Sequence, residues 1–298
     1  MAQARVAIIG GSGFYRLEGL QDIEEVRIKT PFGEPSDAIA IGTLEGQRVA
    51  FLSRHGVGHR LLPSEVPALA NIYALKLLGV EFLIGVSAVG SLRDEVKPLD
   101  MVIPDQLVDR TWGRPSTFFG RGLVAHVAFA DPFCPTLSTV LYEAARETRS
   151  VVHRGGTLVA MEGPAFSTRA ESNLHRSWGA SLIVMTVMPE AKLAREAEMC
   201  YALLACVTDY DAWRGGEEAV TVAIVLENLA ALTQAAQRAV TMAVQRLPAT
   251  RHCACAEALK NALITPPHLV PPCVKEELAP IIGRYMPAEP GSPAGGTR

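Results

Sequence analysis

Short apolar runs rich in β-branched residues recur along the chain, and stretches with helical spacing lie between them. Runs of this kind favour buried strands, and strands that alternate with helices are typical of α/β proteins with a largely parallel sheet. The sequence therefore predicts an α/β fold with one central mixed, mostly parallel sheet flanked by helices. The predicted strands are Val6–Ile9, Val49–Leu52, Phe82–Val86, Met101–Ile103, Leu158–Met161, Leu182–Met185 and Leu203–Val207.

Four stretches have the apolar spacing of helices. No linker divides residues 1–247, so these residues are predicted to form one domain. Arg110–Ala130 lacks a clear period and predicts a long surface loop. The predicted helices are one from a Ser64 cap to Leu78 with Gly79 as its stop, Thr136–Arg146, Pro189–Cys200 and Glu217–Leu247.

The chain changes character after Pro248, where proline pairs interrupt the pattern. Residues 248–285 are predicted to form a C-terminal extension that takes part in an interface. Short helices are expected in His252–Ile264 and Val274–Tyr285. Residues 286–298 are rich in proline and glycine, which predicts a disordered tail.

The overall charge and hydropathy exclude several classes of function. The 298 residues contain 28 Lys+Arg and 31 Asp+Glu, a net charge of -3. A chain without basic excess is not expected to bind nucleic acid. A spanning helix needs about 20 apolar residues, and no such run occurs, so no membrane association is predicted. The N-terminus lacks the pattern of a secretory signal, which predicts a cytoplasmic protein.

The six cysteines are predicted to be free thiols, since the chain is large and lacks a secretory signal. Cys253 and Cys255 are one residue apart, which is not the C-x-x-C spacing of zinc sites. We therefore predict no metal. A reactive or disulfide-forming pair is the alternative for these two residues.

Polar side chains follow five of the apolar runs, and in an open α/β sheet ligands bind beyond the carboxyl ends of strands. A glycine-rich turn brings backbone N–H groups close to phosphate, arginine offers a fork of donors, and hydroxyls complete the shell. An arginine without a counterion at such a position is expected to serve a ligand. The candidate anion-binding residues are Ser12, Arg54, His55, Ser87 and Thr186.

Two carboxylates, Asp209 and Asp211, follow the last of these strands. At positions i and i+2 of an extended segment they are expected to face the same way. They could bind ring N–H or amino donors, or act as a general acid. An anion cradle at one end of a site and carboxylates at the other suits phosphate together with a nitrogenous base.

Each of these signals has a structural alternative when it is taken singly. Gly10–Gly13 fits any tight turn, and the sequence lacks the third glycine of the dinucleotide-binding pattern. Arg54 and His55 could form a surface pair. Asp209 and Asp211 could cap a helix or a turn.

Several motifs in conserved order give the chain a family resemblance. The chain resembles the trimeric purine nucleoside phosphorylases from about Arg5 to Leu247, and within them the enzymes that act on 5'-methylthioadenosine. The ordered set is specific, although each motif alone is weak. The segments that carry it are Ile8–Gly13, Thr30–Ala38, Arg54–Gly56, Glu162–Ser167, Arg169–Ser172, Trp178–Ala180 and Thr208–Trp213.

The resemblance implies that 5'-methylthioadenosine and phosphate react to give adenine and 5-methylthioribose 1-phosphate, as in purine and methionine salvage. It implies no cofactor, with inorganic phosphate as co-substrate, and a homotrimer in which a neighbouring subunit completes each site. Asp209 would be the catalytic residue that protonates the base. The implied contacts are Ser12, Arg54, His55, Ser87, Ala88 and Thr186 for phosphate; Phe166, Ser167, Asp209, Tyr210 and Asp211 for the base; Met185 for the ribose; Val222 and Val225 for the methylthio group; and His126 from the neighbouring subunit.

The sequence departs from the family pattern in three places. Ser12 and Ser87 stand where threonine is common, and Ala165 replaces a common arginine.

Family members that act on 6-oxopurines have asparagine where Asp209 stands. A 6-oxopurine nucleoside or methylthioinosine phosphorylase is therefore the alternative enzyme. A nucleoside-binding protein without turnover is the alternative outside catalysis.

Overall fold

The computed structural model describes residues 4–214 and 220–287, and its strands form a single mixed sheet. All seven predicted strands are present, and the strand predicted at Leu203–Val207 is twice as long as expected. The strands are β1 Val6–Gly10, β2 Gln21–Val26, β3 Ile39–Leu44, β4 Gln47–Ser53, β5 Phe82–Ser91, β6 Met101–Ile103, β7 Gln106–Arg110, β8 Val152–Arg154, β9 Thr157–Met161, β10 Leu182–Val184 and β11 Cys200–Asp209.

Seven α-helices and two short 3₁₀ helices occur among the described residues. None of these helices combines the length and the hydrophobicity that crossing a bilayer requires. The helices are α1 Ala68–Leu77, α2 Pro135–Arg146, α3 Arg169–Ser177, α4 Val187–Glu196, α5 Val222–Gln245, α6 Pro272–Glu277 and α7 Ala279–Ile282, with 3₁₀ helices at Ala254–Glu257 and Pro267–Leu269.

Strand β5 is the centre of the sheet. It pairs in parallel with β1 and with β11, and its last residues pair antiparallel with β10. The order β2-β3-β4-β1-β5-β10-β9-β7 runs across the sheet, and β11 leads to β6 and β8 on a branch. Parallel pairs predominate and the sheet is mixed, as predicted.

Side chains of β1, β4, β5 and β11 alternate between two hydrophobic cores, one on each face of the sheet. In β1, Ala7 and Ile9 belong to the core that contains α1 and α4. Val6 and Ile8 belong to the core that contains α2 and α5. Because both faces are covered, the strands are apolar throughout, which explains why the apolar runs marked them so clearly.

Three predicted helix boundaries are wrong. Ser64 caps no helix, because Pro67 disfavours helical backbone before it, and α1 begins only at Ala68. The helix predicted over Pro189–Cys200 ends at Glu196. Glu198 then has a φ of 56°, which reverses the chain and makes Cys200 the first residue of β11. The start of the predicted Glu217–Leu247 helix is also wrong, since α5 begins at Val222; residues 217–219 lie outside the described residues.

The C-terminal extension contains less helix than expected. Within His252–Ile264 only Ala254–Glu257 is helical, because backbone groups bond to the preceding loop instead, as Ile264 N–H does to Val124 O. Pro280 divides the second predicted helix into α6 and α7. Val274 and Ile282 of this extension join the α1–α4 core. Residues 288–298 lie outside the described residues, whereas Met286 of the predicted tail is buried.

The segment Arg110–Ala130 has no helix or strand beyond its first residue, as predicted, but it is not confined to the surface. Leu123 and Phe118 are buried in the α1–α4 core. Four strands were not predicted: β2, β3, β7 and β8. Strand β2 was missed because Gln21–Val26 is an exposed edge strand with few apolar residues.

Candidate active site

The carboxyl ends of β1, β4, β5, β10 and β11 meet at one cavity of about 470 Å³. This convergence is the geometry that the polar strand ends predicted. The cavity is lined by twelve of the predicted residues: Ser12, Arg54, His55, Ser87, Ala88, Phe166, Met185, Thr186, Asp209, Asp211, Val222 and Val225.

The register of the sheet brings the phosphate candidates together. Gly10 lies beside Ser53 and Val86, so the residues that follow β1 and β4 reach the level of Ser87. Strand β10 approaches differently, because it runs antiparallel to β5, with Ile183 opposite Gly90. Its continuation therefore returns Thr186 toward Ser87 instead of carrying it away.

Arg54 is fully buried at the end of β4 and is held by Glu190 of α4. Its Nε and Nη2 donate to the two carboxylate oxygens of Glu190 at 2.5 and 3.0 Å, and Nη1 donates to Val86 O at 3.0 Å. Burial opposes the guanidinium charge, but the Glu190 carboxylate outweighs it, and the pKa of Arg54 is raised. The expectation of an arginine without a counterion is therefore wrong.

The buried ion pair is completed by Tyr201, whose hydroxyl donates to Glu190 Oε2 at 3.1 Å. Gly11 leaves room for it, because a Cβ there would lie 2.8 Å from Arg54 Nη1 and 2.9 Å from Val86 O. The glycine-rich turn therefore serves the close approach of the arginine to β1. Neither Glu190 nor Tyr201 was predicted as a site residue.

Ser87 lies at this arginine-bearing end of the cavity. The Oγ atom is buried and makes no hydrogen bond within the described residues. A buried hydroxyl without a partner is costly, so it marks a position where a ligand atom is expected. Ser12 and Thr186 line the same end and add two further hydroxyls.

His55 is held as a neutral ring beside Arg54. Its Nδ1 lies 2.8 Å from Leu61 O, and the ring stacks on His59 with centroids 4.3 Å apart. Burial, and then the charge of Arg54, lowers the pKa of His55 to about 4. Nδ1 therefore carries the proton that it donates to Leu61 O, which leaves Nε2 as an acceptor.

This lowered pKa predicts a pH-dependent loss of stability. Between pH 6.5 and 4 the unfolded chain binds a proton at His55 that the folded chain excludes, so stability falls as the pH falls. The loss should reach about 3 kcal/mol below pH 4. Urea unfolding at several pH values should show this fall in the wild type and a smaller one in His55→Asn. Parallel profiles would contradict the assignment.

Asp209 and Asp211 lie at the opposite end of the cavity, but not through strand alternation. Strand β11 ends at Asp209, and Asp211 has a φ of 49° in the following turn. The Asp211 N–H donates to Asp209 Oδ1 at 2.8 Å, and Thr208 Oγ1 donates to Oδ2 at 2.7 Å. The prediction that Asp209 and Asp211 are alternate residues of one extended segment is therefore wrong, although both residues line the cavity.

The environment of Asp209 favours its protonated form. Burial is the main cause, the hydrogen bonds from Thr208 and Asp211 act against it, the charge of Asp211 adds to it, and the pKa is raised overall. Asp211 Oδ2 is buried and has no hydrogen-bond partner among the described residues. Gly90 allows this arrangement, because a Cβ there would lie 2.9 Å from Asp209 Oδ1. One end of the cavity thus holds an acid and an unused acceptor.

Helix α5 supplies an apolar wall near the carboxylates through Val222, Val225 and Leu226. The helix is anchored to β11, since Asn228 Nδ2 donates to Thr208 O at 2.7 Å. Phe166 lines the cavity from the loop after β9. The cavity therefore combines a polar end, an acidic end and an apolar side.

Three of the predicted residues do not line this cavity. Ser167 is buried and donates to Met161 Sδ at 3.6 Å, and Tyr210 packs edge-on against Trp213. His126 lies in the loop before α2, at a second cavity that includes Phe129 and Glu196. Sequence reasoning also missed several lining residues: Tyr15, His59, Leu62, Pro63, Met161, Pro164 and Leu226.

Relatives of known name match nearly the whole chain. It is 57% identical over 295 residues to S-methyl-5'-thioadenosine phosphorylase from Gloeobacter violaceus, covering 97% of this chain and 98% of the relative. It is 58% identical over 286 residues to the enzyme of the same name from Chloroflexus aurantiacus, covering 96% and 99%.

Solved structures agree with these sequences. A methylthioadenosine phosphorylase from an antarctic soil metagenomic library superposes with a TM-score of 0.89 at 50% identity, covering 94% of this chain and 99% of that one. The Schistosoma mansoni enzyme in complex with adenine gives 0.82 at 37% identity, covering 87% and 96%. The profile of the phosphorylase superfamily matches residues 5–245, and the chain belongs to that family.

Proposed function

We propose that this protein catalyses the phosphorolysis of 5'-methylthioadenosine to adenine and 5-methylthioribose 1-phosphate. One observation carries the proposal: a single cavity has an arginine and hydroxyl end opposite a buried aspartate whose pKa is raised. The names of the close relatives support the same reaction. The reaction needs no cofactor in this proposal, and phosphate is the second substrate.

The arginine-bearing end would hold phosphate below the sugar. Arg54 would supply a charged donor from a position that Glu190 fixes, and Ser12, Ser87 and Thr186 would supply hydroxyl donors, with a further contact from the Ala88 backbone. The lone pair on His55 Nε2 would accept from a phosphate O–H. Since these groups are already held in place, little reorganisation is required when the anion binds.

The acidic end would stabilise the leaving base. As the glycosidic bond breaks, positive charge develops on the sugar and negative charge develops on the base. Phosphate would stabilise the positive charge on the sugar, and Asp209 would stabilise the negative charge on the base. Protonated Asp209 would donate to N7 of adenine, and Asp211 Oδ2 would accept from the base. Met185 would lie against the ribose and Phe166 beside the base.

The test is adenine release with and without phosphate. Adenine should appear from 5'-methylthioadenosine only when phosphate is added, and chromatography should show one equivalent of 5-methylthioribose 1-phosphate. Methylthioinosine should react with a kcat/KM at least about 100-fold lower, because the acid at residue 209 matches an aminopurine. Nucleoside binding without any turnover would instead indicate a binding protein.

The apolar wall of α5 predicts the preference for a 5'-thioether. Val225→Ser should lower kcat/KM for 5'-methylthioadenosine about tenfold more than for adenosine, because it removes apolar contact from the methylthio group. Ile224→Ser makes the same kind of change at a neighbouring residue that does not line the cavity, and should alter both substrates equally. Equal losses with both substrates in Val225→Ser would remove Val225 from the methylthio pocket.

The proposed enzyme is a cytoplasmic homotrimer in which His126 reaches the nucleoside of a neighbouring subunit. Two observations support a role for His126 outside its own cavity: His126 does not line that cavity, and Val124, two residues before it, is exposed. Light scattering should give the mass of three chains. His126→Ala should raise KM for the nucleoside and leave KM for phosphate unchanged.

A further inference from the structure

Four cysteines far apart in the sequence meet in one cluster outside the active-site cavity. Cys134 precedes α2, Cys200 begins β11, and Cys253 and Cys255 lie in the C-terminal extension. Their Sγ atoms all lie within 4.8 Å of one another. We call these four residues the thiol cluster. It is the only group of three or more such ligand residues in the described part of the chain.

The spacing of the sulfur atoms suits a tetrahedral metal ion. With Zn–S bonds of about 2.3 Å, the sulfurs of a tetrahedral site lie about 3.8 Å apart. Cys200 and Cys253 have their Sγ atoms 3.2 Å apart, closer than that value, and the other distances extend to at most 4.8 Å. Small side-chain movements would therefore place all four sulfurs at equal distance from one central ion.

The thiol cluster lies in a dry part of the molecule, beside the start of a helix. Cys134, Cys200 and Cys255 are buried within the α2–α5 core, and Cys253 packs against it. Cys134 is the N-cap residue of α2. The N-terminus of this twelve-residue helix adds a positive potential that stabilises negative charge at Cys134.

We propose that the thiol cluster binds one zinc ion as a Cys₄ site and thereby fastens the C-terminal extension to the main domain. Four thiolates in a closed set are a structural ligand set for this borderline-soft cation. Binding releases the thiol protons to solvent and oxidises nothing. The prediction of no metal rested on the local spacing of Cys253 and Cys255. That spacing gives no information on Cys134 and Cys200, which only the fold brings to the same place.

Metal analysis of the purified full-length protein tests this proposal. Protein prepared with zinc and reductant and then dialysed should contain about one zinc per chain, and Cys134→Ser and Cys253→Ser less than about 0.1. Cys273→Ser changes an exposed cysteine outside the cluster and should keep the full content. Full zinc content in both cluster variants, or iron in place of zinc, would overturn the proposal.

A second measurement on the unmutated protein does not depend on how the variants fold. After removal of metal by a chelator, cobalt(II) should bind with one equivalent per chain and give thiolate charge-transfer and tetrahedral d–d bands. Thiol titration of the unfolded, unreduced protein should give all six cysteines. Fewer than six thiols would show disulfides, and absent thiolate bands would show no Cys₄ site; either result overturns the proposal.

Discussion

Removing either partner of the Arg54–Glu190 pair is expected to destabilise the protein by about 3–5 kcal/mol, because the other charge is left buried and unpaired. Both side chains are almost fully inaccessible, at 0% and 1% exposure. The variants to compare are Arg54→Met and Glu190→Leu, measured by urea unfolding. Each should lower the free energy of unfolding by that amount.

The double variant separates stability from binding. Arg54→Met combined with Glu190→Leu removes both charges and should recover most of the lost stability. It should still lack a useful affinity for phosphate, because the charged donor is gone. A double variant with normal KM for phosphate would show that Arg54 serves the fold alone, and additive losses of stability would show that the two residues do not act as a pair.

The second large effect is expected for Asp209→Asn. An amide cannot protonate the leaving base, so kcat/KM for 5'-methylthioadenosine should fall by about 10²–10³. Activity of the wild type should be lost as the pH rises through the raised pKa of Asp209, because the active form is the acid. That loss at high pH should disappear from the profile of the variant.

Two controls accompany this variant. Asp94→Asn makes the same chemical change at an exposed side chain and should leave kcat/KM unchanged. Methylthioinosine should become a better substrate relative to 5'-methylthioadenosine in Asp209→Asn, since an amide matches a 6-oxo base. An unchanged preference between the two nucleosides would take Asp209 out of contact with the base.

The central strands and their polar ends could be predicted because each strand is buried on both faces and is therefore apolar along its whole length. Strand β2 could not, since one edge strand with a charged, exposed sequence looks like a loop. The position of Asp211 depended on a left-handed turn after β11. The prediction that Asp211 lies near Asp209 is therefore right, but the strand alternation on which it was based is wrong.

Two features depended on contacts between distant parts of the chain. In the sequence, Glu190 is an ordinary acidic residue in the first turn of a helix, and only the fold brings it to Arg54, 136 residues away. The thiol cluster likewise joins residues from three separate segments. Local spacing carries no information on such pairs, so both required the structure.

The pairing of Arg54 with Glu190 has a consequence for the order of events at the cavity. Among the described lining residues Arg54 alone carries a permanent positive charge, and it is already neutralised, whereas Asp209 and Asp211 are both acids. An incoming phosphate dianion therefore adds negative charge to the cavity that Asp209 also lines, and this favours the protonated state of Asp209. By reciprocity, a proton on Asp209 must tighten phosphate. Phosphate, which attacks the sugar, would thus help Asp209 to retain the proton that it donates to the departing base.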